Sequence, residues 1–257
     1  MYSVMQRLRS IRHRFWLGVS ERVRWSRGAF RETPAVELPG LPPEQAQRIA
    51  LLRSRYQVRF ESELSAATSL NNYEYLDILD RAFVEGGLAR PRCEVLCDVG
   101  CASFWYATTL AAFFRPRRLI GVEVEGYRLF KDGRTRIDYA RGYLERTPGS
   151  EFIVADYRRY AQPADVITAW FPFLTPTAIL AWRLPLSLLR PDQLFHRMHE
   201  NLKAGGMLFM VNHGAEEGAL AAKLCSAAGL RLQWQGVASS LLSCDRGQPP
   251  VASCWGS

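Results

Sequence analysis

The feature that most constrains the fold of this chain is an alternation of short apolar runs with segments of helical periodicity from residue 95 onward. The apolar runs predict strands at 95–99, 118–123, 151–155, 165–170 and 207–212. Apolar spacing of three or four residues predicts helices at 102–114, 126–145, 215–228 and in a segment ending near residue 203. Two closing strands, 230–236 and 250–255, are not separated by a helix, so the last one is expected to insert antiparallel. The pattern predicts a doubly wound α/β fold, with a seven-stranded, mostly parallel sheet and helices on both faces.

An N-terminal helical extension precedes this region. Residues 1–31 contain eight arginines and one acidic residue, together with apolar residues at helical spacing: Val4, Leu8, Ile11, Phe15, Val19 and Val23. Such a helix can bind an anionic membrane surface or an acidic partner. It can equally dock on its own domain with a solvated arginine face, which is the interpretation we favour slightly. The linker that follows is rich in proline.

Composition excludes several classes of protein. The net charge is +8, but outside residues 1–31 the chain holds 25 basic and 24 acidic residues, so its body is electrically balanced. That balance argues against nucleic acid as the substrate. No apolar run is long enough to span a membrane. The six cysteines form no C-x-x-C pair, which indicates reduced thiols in a cytoplasmic protein, with peripheral membrane association through residues 1–31 left open.

Polar residues cluster where the predicted strands end. Asp98 and Gly100 end the first strand, Glu123 the second, and Asp156 follows the third. Ligands of doubly wound sheets bind at the carboxyl ends of the strands. A carboxylate at the end of the second strand can accept hydrogen bonds from both hydroxyls of a ribose. Each acidic residue also has a purely structural interpretation: Asp98 can cap the next helix, and Glu123 can be a solvated strand end.

From about residue 93 to the end, the chain resembles a class I S-adenosylmethionine-dependent methyltransferase. The segments that carry the resemblance are 95–101 (VLCDVGC), 121–123 (GVE), 155–156 (AD), 164–167 (ADVI) and 201–208 (NLKAGGML). On this basis we expect three parts: a basic helix and linker at 1–45, a helical cap at 46–92, and an S-adenosylmethionine-binding Rossmann-like domain at 93–257.

The resemblance implies S-adenosyl-L-methionine as the cofactor and assigns roles to residues by position. Asp98 and the backbone of Gly100, Cys101 and Ala102 would hold its methionine part. Glu123 would hold the ribose, and Asp156 and Tyr157 the adenine. The turn departs from the family, because Ala102 and Phe104 stand where glycine is usual. Alanine is acceptable there if its φ is negative.

Candidates for proton transfer and substrate contact follow from the same placement. His213 is our first choice as a base, because imidazole exchanges protons near neutral pH, although a loop histidine that satisfies backbone groups is an equally good interpretation. Glu216 and Tyr73 are further candidates. The apolar segment 171–191 is interpreted as a substrate lid or as a surface buried under the N-terminal helices. The residues assigned to substrate binding are Trp170, Phe171, Phe173 and Trp182.

We therefore predict methyl transfer to a small organic or lipid-like acceptor, without a metal. His196 and His199 have a spacing that can bind a metal ion, but no carboxylate on the same helix face other than Glu200 clearly completes the set, so we discount a metal site. A catalytically inactive, methyltransferase-like binding or membrane-associated module is the first alternative. Nucleic-acid methylation is the least favoured, because of the balanced charge of the body.

Overall fold

The strands form one seven-stranded sheet. The structure is a computed structural model that describes residues 2–38, 40–242 and 248–257. Cys244 and the centre of the predicted loop between the closing strands lie outside these ranges. The strands are β1 (Val95–Val99), β2 (Arg118–Glu123), β3 (Ser150–Val154), β4 (Ala164–Trp170), β5 (Leu202–Asn212), β6 (Arg231–Val237) and β7 (Val251–Gly256).

The order across the sheet is β3-β2-β1-β4-β5-β7-β6. Strands β1 to β5 pair in parallel, and β7 inserts antiparallel between β5 and β6. The predicted fold class is confirmed. The strand order reverses between β1 and β4, and in open α/β sheets the crevice at that reversal is where ligands bind.

Eight α-helices surround the sheet in the described part of the chain. They are α1 (Val4–Val23), α2 (Pro43–Tyr56), α3 (Ala66–Glu85), α4 (Ala107–Phe114), α5 (Arg136–Leu144), α6 (Pro176–Ala181), α7 (Pro191–Asn201) and α8 (Gly214–Ala227). None of the helices among these residues is long and apolar enough to cross a membrane.

Two helices are shorter than the sequence predicts. Residues 102–106 form turns, so α4 begins only at Ala107. Residues 126–135 are also irregular: Gly133 has a φ of +77°, and Leu129 bridges Thr135. Helix α5 therefore covers only the second half of the predicted helix. In both cases apolar spacing continues across residues whose backbone is bent by turns.

The two faces of the sheet bury separate cores. On one face, Leu76 of α3 and Phe113 of α4 share a cluster with Leu96 of β1 and Phe209 of β5. Segment 46–92 thus contributes to the main core of the sheet. On the other face, residues of α7 and α8 pack against β1, β2, β4 and β5. Both faces are covered, as a mostly parallel sheet requires.

Helix α1 docks on the rest of the molecule through its polar side. The Arg9 guanidinium donates to the Leu180 carbonyl at 3.3 Å, and the Leu186 N–H donates to the Ser10 hydroxyl at 2.9 Å. His13, the buried residue of α1, lies on the same side. The interpretation in which this helix docks on its own domain is confirmed, but its apolar stripe faces outward instead of toward the body.

A strap of residues 24–31 follows α1 and is tied to α5. The carboxylate of Asp138 accepts hydrogen bonds from the backbone N–H groups of Arg27 (3.0 Å) and Gly28 (3.2 Å) and from the Ser26 hydroxyl. The Phe30 N–H donates to the Asp138 carbonyl at 2.9 Å. The basic segment therefore runs on from α1 along a defined surface.

Candidate active site

A cleft with a volume of about 330 Å³ lies at the carboxyl ends of β1 to β5. Most of the predicted site residues line it together. They are Gly100, Ala102, Glu123, Asp156, Tyr157, Trp170, Phe171, Phe173, Trp182 and His213. Strands β1, β2 and β4 are adjacent, so residues far apart in sequence converge at this edge.

The turn after β1 has a left-handed backbone at three positions. Gly100 has a φ of +74°, Ala102 of +50° and Phe104 of +55°. The condition under which alanine would be unstrained here, a negative φ, is therefore not met at Ala102. This conformation costs a residue with a Cβ roughly 1–2 kcal/mol. Ala102 and Phe104 thus adopt, with side chains, a backbone that glycine adopts more easily, and surrounding contacts must hold it in place.

Phe104 does not fill the ligand space. Its side chain is fully buried and packs on β2, where a Cβ added to Gly121 would lie 2.6 Å from the Phe104 ring. The absence of a side chain at Gly121 thus makes room for the ring. The bulky residue in the turn is accommodated by the core and leaves the cleft open.

Glu123 is held in place by the turn that it faces. Its carboxylate accepts hydrogen bonds from the N–H of Ala102 at 2.9 Å and the N–H of Glu125 at 2.9 Å, and it forms an ion pair with the guanidinium of Arg136 at 3.0 Å. A carboxylate offers about four lone-pair sites, so roughly one remains for a ligand hydroxyl. Glu123 therefore has room for fewer hydrogen bonds to a ligand than the two that the sequence suggests.

Asp156 and Tyr157 line the cleft where β3 ends. The Arg158 guanidinium hydrogen-bonds both carboxylate oxygens of Asp156, at 2.9 and 3.1 Å. Burial alone would raise the pKa of the Asp156 carboxyl, but the bonds and charge of Arg158 outweigh it and hold that pKa below its ordinary value. Tyr157 is buried, and its hydroxyl accepts from the Asn201 amide at 3.1 Å. An anionic group and a fixed ring thus face the cleft side by side.

Two residues predicted to touch the cofactor lie behind the cleft wall. Asp98 is fully buried and its carboxylate is occupied by the Tyr106 hydroxyl (2.6 Å) and the Thr168 hydroxyl (2.5 Å). Cys101 is also fully buried, against Gly121. We therefore correct both assignments: Asp98 and Cys101 shape the wall, and Tyr106 stands between Asp98 and the cleft.

The environment of Asp98 is unusual for a carboxylate. Desolvation raises the pKa of Asp98 to about 7, although the hydrogen bonds from Thr168 and Tyr106 act in the opposite direction. The charge of Glu123 adds to the increase. The Asp98 carboxyl thus takes up a proton at a higher pH than an ordinary aspartate does.

Two of the three candidate bases lie outside the cleft. Tyr73 is fully buried, and its hydroxyl donates to Glu61 at 2.8 Å and accepts from Arg53 at 3.1 Å. Glu216 is exposed in the first turn of α8 and is not part of the lining. Both predictions fail for one reason: position near a helix start does not determine which way the side chain points.

His213 does line the cleft, at the end of β5. Its ring stacks on Phe171 with a centroid distance of 4.3 Å and an angle of 21°. Phe171 has a φ of +54°, a second strained residue in the lining. The imidazole is exposed, so it can reach both solvent and a bound molecule.

An aromatic wall, of which the sequence analysis identified only Trp170, faces the turn. Tyr75 of α3 stacks on Trp170 at 4.1 Å and 15°, and it contacts Trp105 at 4.8 Å and Tyr106 at 5.1 Å. All four rings line the cleft. Trp105 and Tyr106 could have been found from their position directly after the turn; no local signal marks Tyr75.

The segment between β4 and α7 closes the other side. Residues of α6 and of the helical turn Leu186–Leu188 form an apolar cluster, from which Ile179, Leu184 and Leu188 line the cleft. The indole N–H of Trp170 is buried and has no hydrogen-bond partner in the described part of the chain. The cleft therefore offers an apolar surface on this side, and the unpaired Trp170 N–H lies buried within its wall.

A metal centre receives no support from the described residues. Among residues 2–38, 40–242 and 248–257, no group of three or more His, Cys, Asp or Glu side chains is placed to hold a metal ion. His196 pairs with Glu200 at 3.2 Å on an exposed face of α7.

Comparison with solved structures identifies the fold. The N-methyltransferase NodS from Bradyrhizobium japonicum WM9, in complex with S-adenosyl-L-homocysteine, superposes with a TM-score of 0.52 at 12% identity, covering 73% of this chain and 87% of that chain. An S-adenosylmethionine-dependent methyltransferase from Aquifex aeolicus gives a TM-score of 0.51 at 13% identity, covering 72% and 92%. The chain has the fold of these methyltransferases, as the sequence predicts.

Sequence comparison covers a smaller part of the chain. A tRNA (guanine-N(7)-)-methyltransferase from Cytophaga hutchinsonii is 29% identical over 116 residues, which is 45% of this chain and 50% of that protein. This chain thus spans about half the length of the curated relative that it matches. No family model matches the sequence.

Proposed function

We propose that this protein is a methyltransferase that uses S-adenosyl-L-methionine. The observation that carries the proposal is the convergence of Gly100, Glu123 and Tyr157 on one cleft at the reversal point of the sheet. The cleft suits the cofactor chemically. A Cβ added to Gly100 would meet no atom within 4 Å, so the backbone there is open to a ligand. Glu123 retains a lone-pair site for a ribose hydroxyl.

S-adenosylmethionine supplies, when bound, a methyl group activated on a sulfonium centre. The residues of this chain would bind and orient the two reactants. Glu123 would hold the ribose, Tyr157 would pack on the adenine beside Asp156, and the open backbone at Gly100 would lie beside the methionine part. Alignment alone can provide much of the acceleration of a displacement of this kind.

We propose a small, largely apolar organic or lipid-like molecule as the acceptor. Phe171, Phe173, Trp182 and the side chains of α6 offer an apolar surface beside the aromatic wall. The unpaired Trp170 N–H would donate to an oxygen of the acceptor, since leaving that donor unsatisfied costs about 1–3 kcal/mol. His213 would take the proton of an acceptor that carries one.

Calorimetric titration with S-adenosyl-L-homocysteine tests the cofactor assignment. Glu123→Gln should weaken binding by about 10–100-fold, because a hydrogen bond to a charged group contributes roughly 1.5–3 kcal/mol. Glu151→Gln is the matched control: it removes another arginine-paired glutamate, at the exposed Arg118 pair. Absence of binding by the unmodified protein at millimolar ligand would overturn the proposal.

Methyl transfer to extracted lipids and small-molecule panels tests the acceptor. Trp170→Phe keeps the ring and removes the donor, so it should raise KM for the acceptor and leave cofactor binding unchanged. His213→Ala should lower kcat for acceptors that lose a proton. Tight cofactor binding without turnover on any panel would favour the alternative of a catalytically inactive binding module.

A nucleic-acid acceptor is the second candidate, and the Cytophaga hutchinsonii relative is the observation that favours it. On this hypothesis the exposed arginines of residues 1–31 would contact phosphates. RNA binding would then weaken steeply with salt and disappear when residues 1–31 are deleted. Transfer of a labelled methyl group to bulk tRNA, with no label in the lipid and small-molecule fractions, would support this candidate over the small-molecule acceptor.

A further inference from the structure

Helix α1 exposes a continuous apolar stripe. Val4, Leu8, Ile11 and Phe15 are 73%, 57%, 66% and 63% exposed, and their spacing of four, three and four residues places them on one side of the helix. Trp16 and Val23 extend the exposed surface along one edge, at 61% and 64%. Soluble monomers rarely leave so long an apolar surface in water.

The orientation of the stripe is set by contacts on the opposite side. Arg9, Ser10 and His13 face the body, and two of them bond the Leu180 carbonyl and the Leu186 N–H. Turning the helix to bury the stripe would break these bonds and expose His13. The outward stripe is therefore a consequence of how α1 docks.

Positive charge surrounds the stripe. Residues 1–31 hold eight arginines and a single acidic residue, whereas the rest of the chain is balanced. Several arginines of α1 are exposed and form no ion pair with another described residue: Arg7, Arg12, Arg14 and Arg22. The surface that covers the stripe must therefore accept apolar side chains and carry negative charge at its edge.

We propose that α1 docks on a bilayer of anionic phospholipids. The stripe would enter the boundary between headgroups and acyl chains, and the flanking arginines would reach the phosphates, which is the arrangement of interfacial helices. An RNA partner would satisfy the arginines but leave the stripe in water. A second copy of α1 would bring two arginine-rich surfaces together.

A cavity of about 630 Å³ borders the stripe and fits the same partner. Arg12, Arg128 and Arg183 line it together with Trp16 and Tyr127. Among the described residues that line the cavity, only Glu125 is acidic, and its charge is neutralised because its carboxylate pairs with the guanidinium groups of Arg128 (3.1 Å) and Arg136 (3.1 Å). The cavity can thus receive an anionic headgroup beside the inserted side chains.

Vesicle flotation tests the docking directly and does not depend on methyl transfer. We expect the protein to float with vesicles of phosphatidylglycerol and phosphatidylethanolamine at least about tenfold more strongly than with phosphatidylcholine vesicles. Ile11→Asp should reduce this partition by about tenfold or more, because it places a charge in the apolar contact. Val84→Asp is the matched control, since Val84 is 64% exposed on α3, away from the stripe.

A second flotation experiment tests the contribution of the exposed arginines of α1. Replacing Arg7 and Arg14 with Glu should weaken binding to the anionic vesicles by about tenfold or more and leave the helical circular dichroism unchanged. Arg117→Glu, an exposed arginine outside the first 31 residues, should have little effect.

Three results would overturn the proposal. The first is equal binding to both vesicle types, or none; the second is equal loss in Ile11→Asp and Val84→Asp. The third is a dimer in sedimentation that Ile11→Asp converts to a monomer, with no flotation.

Discussion

The residues with the most informative backbone lie around the cleft. Ala102 and Phe171 line it and have φ values of +50° and +54°, a conformation that favours glycine. Strained residues of this kind persist where the surrounding structure holds them, and they occur often at functional sites. At Ala102 the hydrogen bond from its N–H to Glu123 supplies one such restraint.

Ala102→Gly should increase the free energy of unfolding by about 1 kcal/mol, since glycine adopts this φ without strain. Urea unfolding measures the change. Ala112→Gly, a control inside α4, should instead destabilise the protein by about 1 kcal/mol. A destabilised Ala102→Gly variant would contradict the account of a strained turn.

Asp98 should make stability depend on pH. Its pKa is about 7 in the folded protein and 3.8 as the ordinary value, so the folded state binds the proton more tightly. Protonation of Asp98 therefore contributes up to about 4 kcal/mol to the free energy of unfolding. This contribution is complete below about pH 4 and is lost as pH rises through 7.

Denaturant unfolding at pH 5 and pH 8 measures whether stability falls as pH rises, as predicted. In Asp98→Asn the loss of stability between the two pH values should be much smaller. Asp165→Asn serves as the control, because that carboxyl has a lowered pKa and stays charged across this range. An unchanged slope in Asp98→Asn would show that another group is responsible.

At the scale of elements, a single substitution can test the contact between the N-terminal strap and α5. A Cβ added to Gly142 would lie 1.5 Å from the Phe30 carbonyl oxygen, so any side chain there must push the strap away. The bonds between Asp138 and residues 26–30 would be lost with it. Glycine inside α5 is thus required by the close approach of another backbone.

Gly142→Ala should release the strap and make trypsin cleavage at Arg27 or Arg31 about tenfold faster, since overpacking costs roughly 1–3 kcal/mol. Gly18→Ala is the control, because a Cβ at Gly18 in α1 would meet no atom within 4 Å. If both variants are cleaved at the rate of the unmodified protein, the strap is not held by this contact.

The elements differ in how well sequence predicts them. The strand β2 has the predicted bounds, because an apolar run between turn residues determines a buried parallel strand. Helix α5 is about half its predicted length, since spacing of apolar residues does not reveal the turn at Gly133. Turn geometry is set by hydrogen bonds such as those of Glu123, which a pattern does not contain.

For the whole molecule, binding of the cofactor product should stabilise the fold. At a concentration of S-adenosyl-L-homocysteine 100 times its Kd, the gain is about 2.7 kcal/mol. For a chain of 257 residues this raises Tm by about 5–10 °C. Scanning calorimetry measures the shift, and Glu123→Gln should show less of it at the same concentration. No shift at millimolar ligand would argue against a cofactor site in the cleft.

The sequence by itself determined the sheet and the edge at which its ligand site forms. Alternating apolar runs and helices specify a parallel sheet, and the carboxyl ends of its strands bring Gly100, Glu123 and Asp156 together whatever the details of packing. Only the tertiary structure decided that Asp98 lies behind the wall and that the stripe of α1 faces outward. Periodicity reports that a helix has an apolar side; the contacts of Ser10 and His13 on the opposite side decide which way that side points.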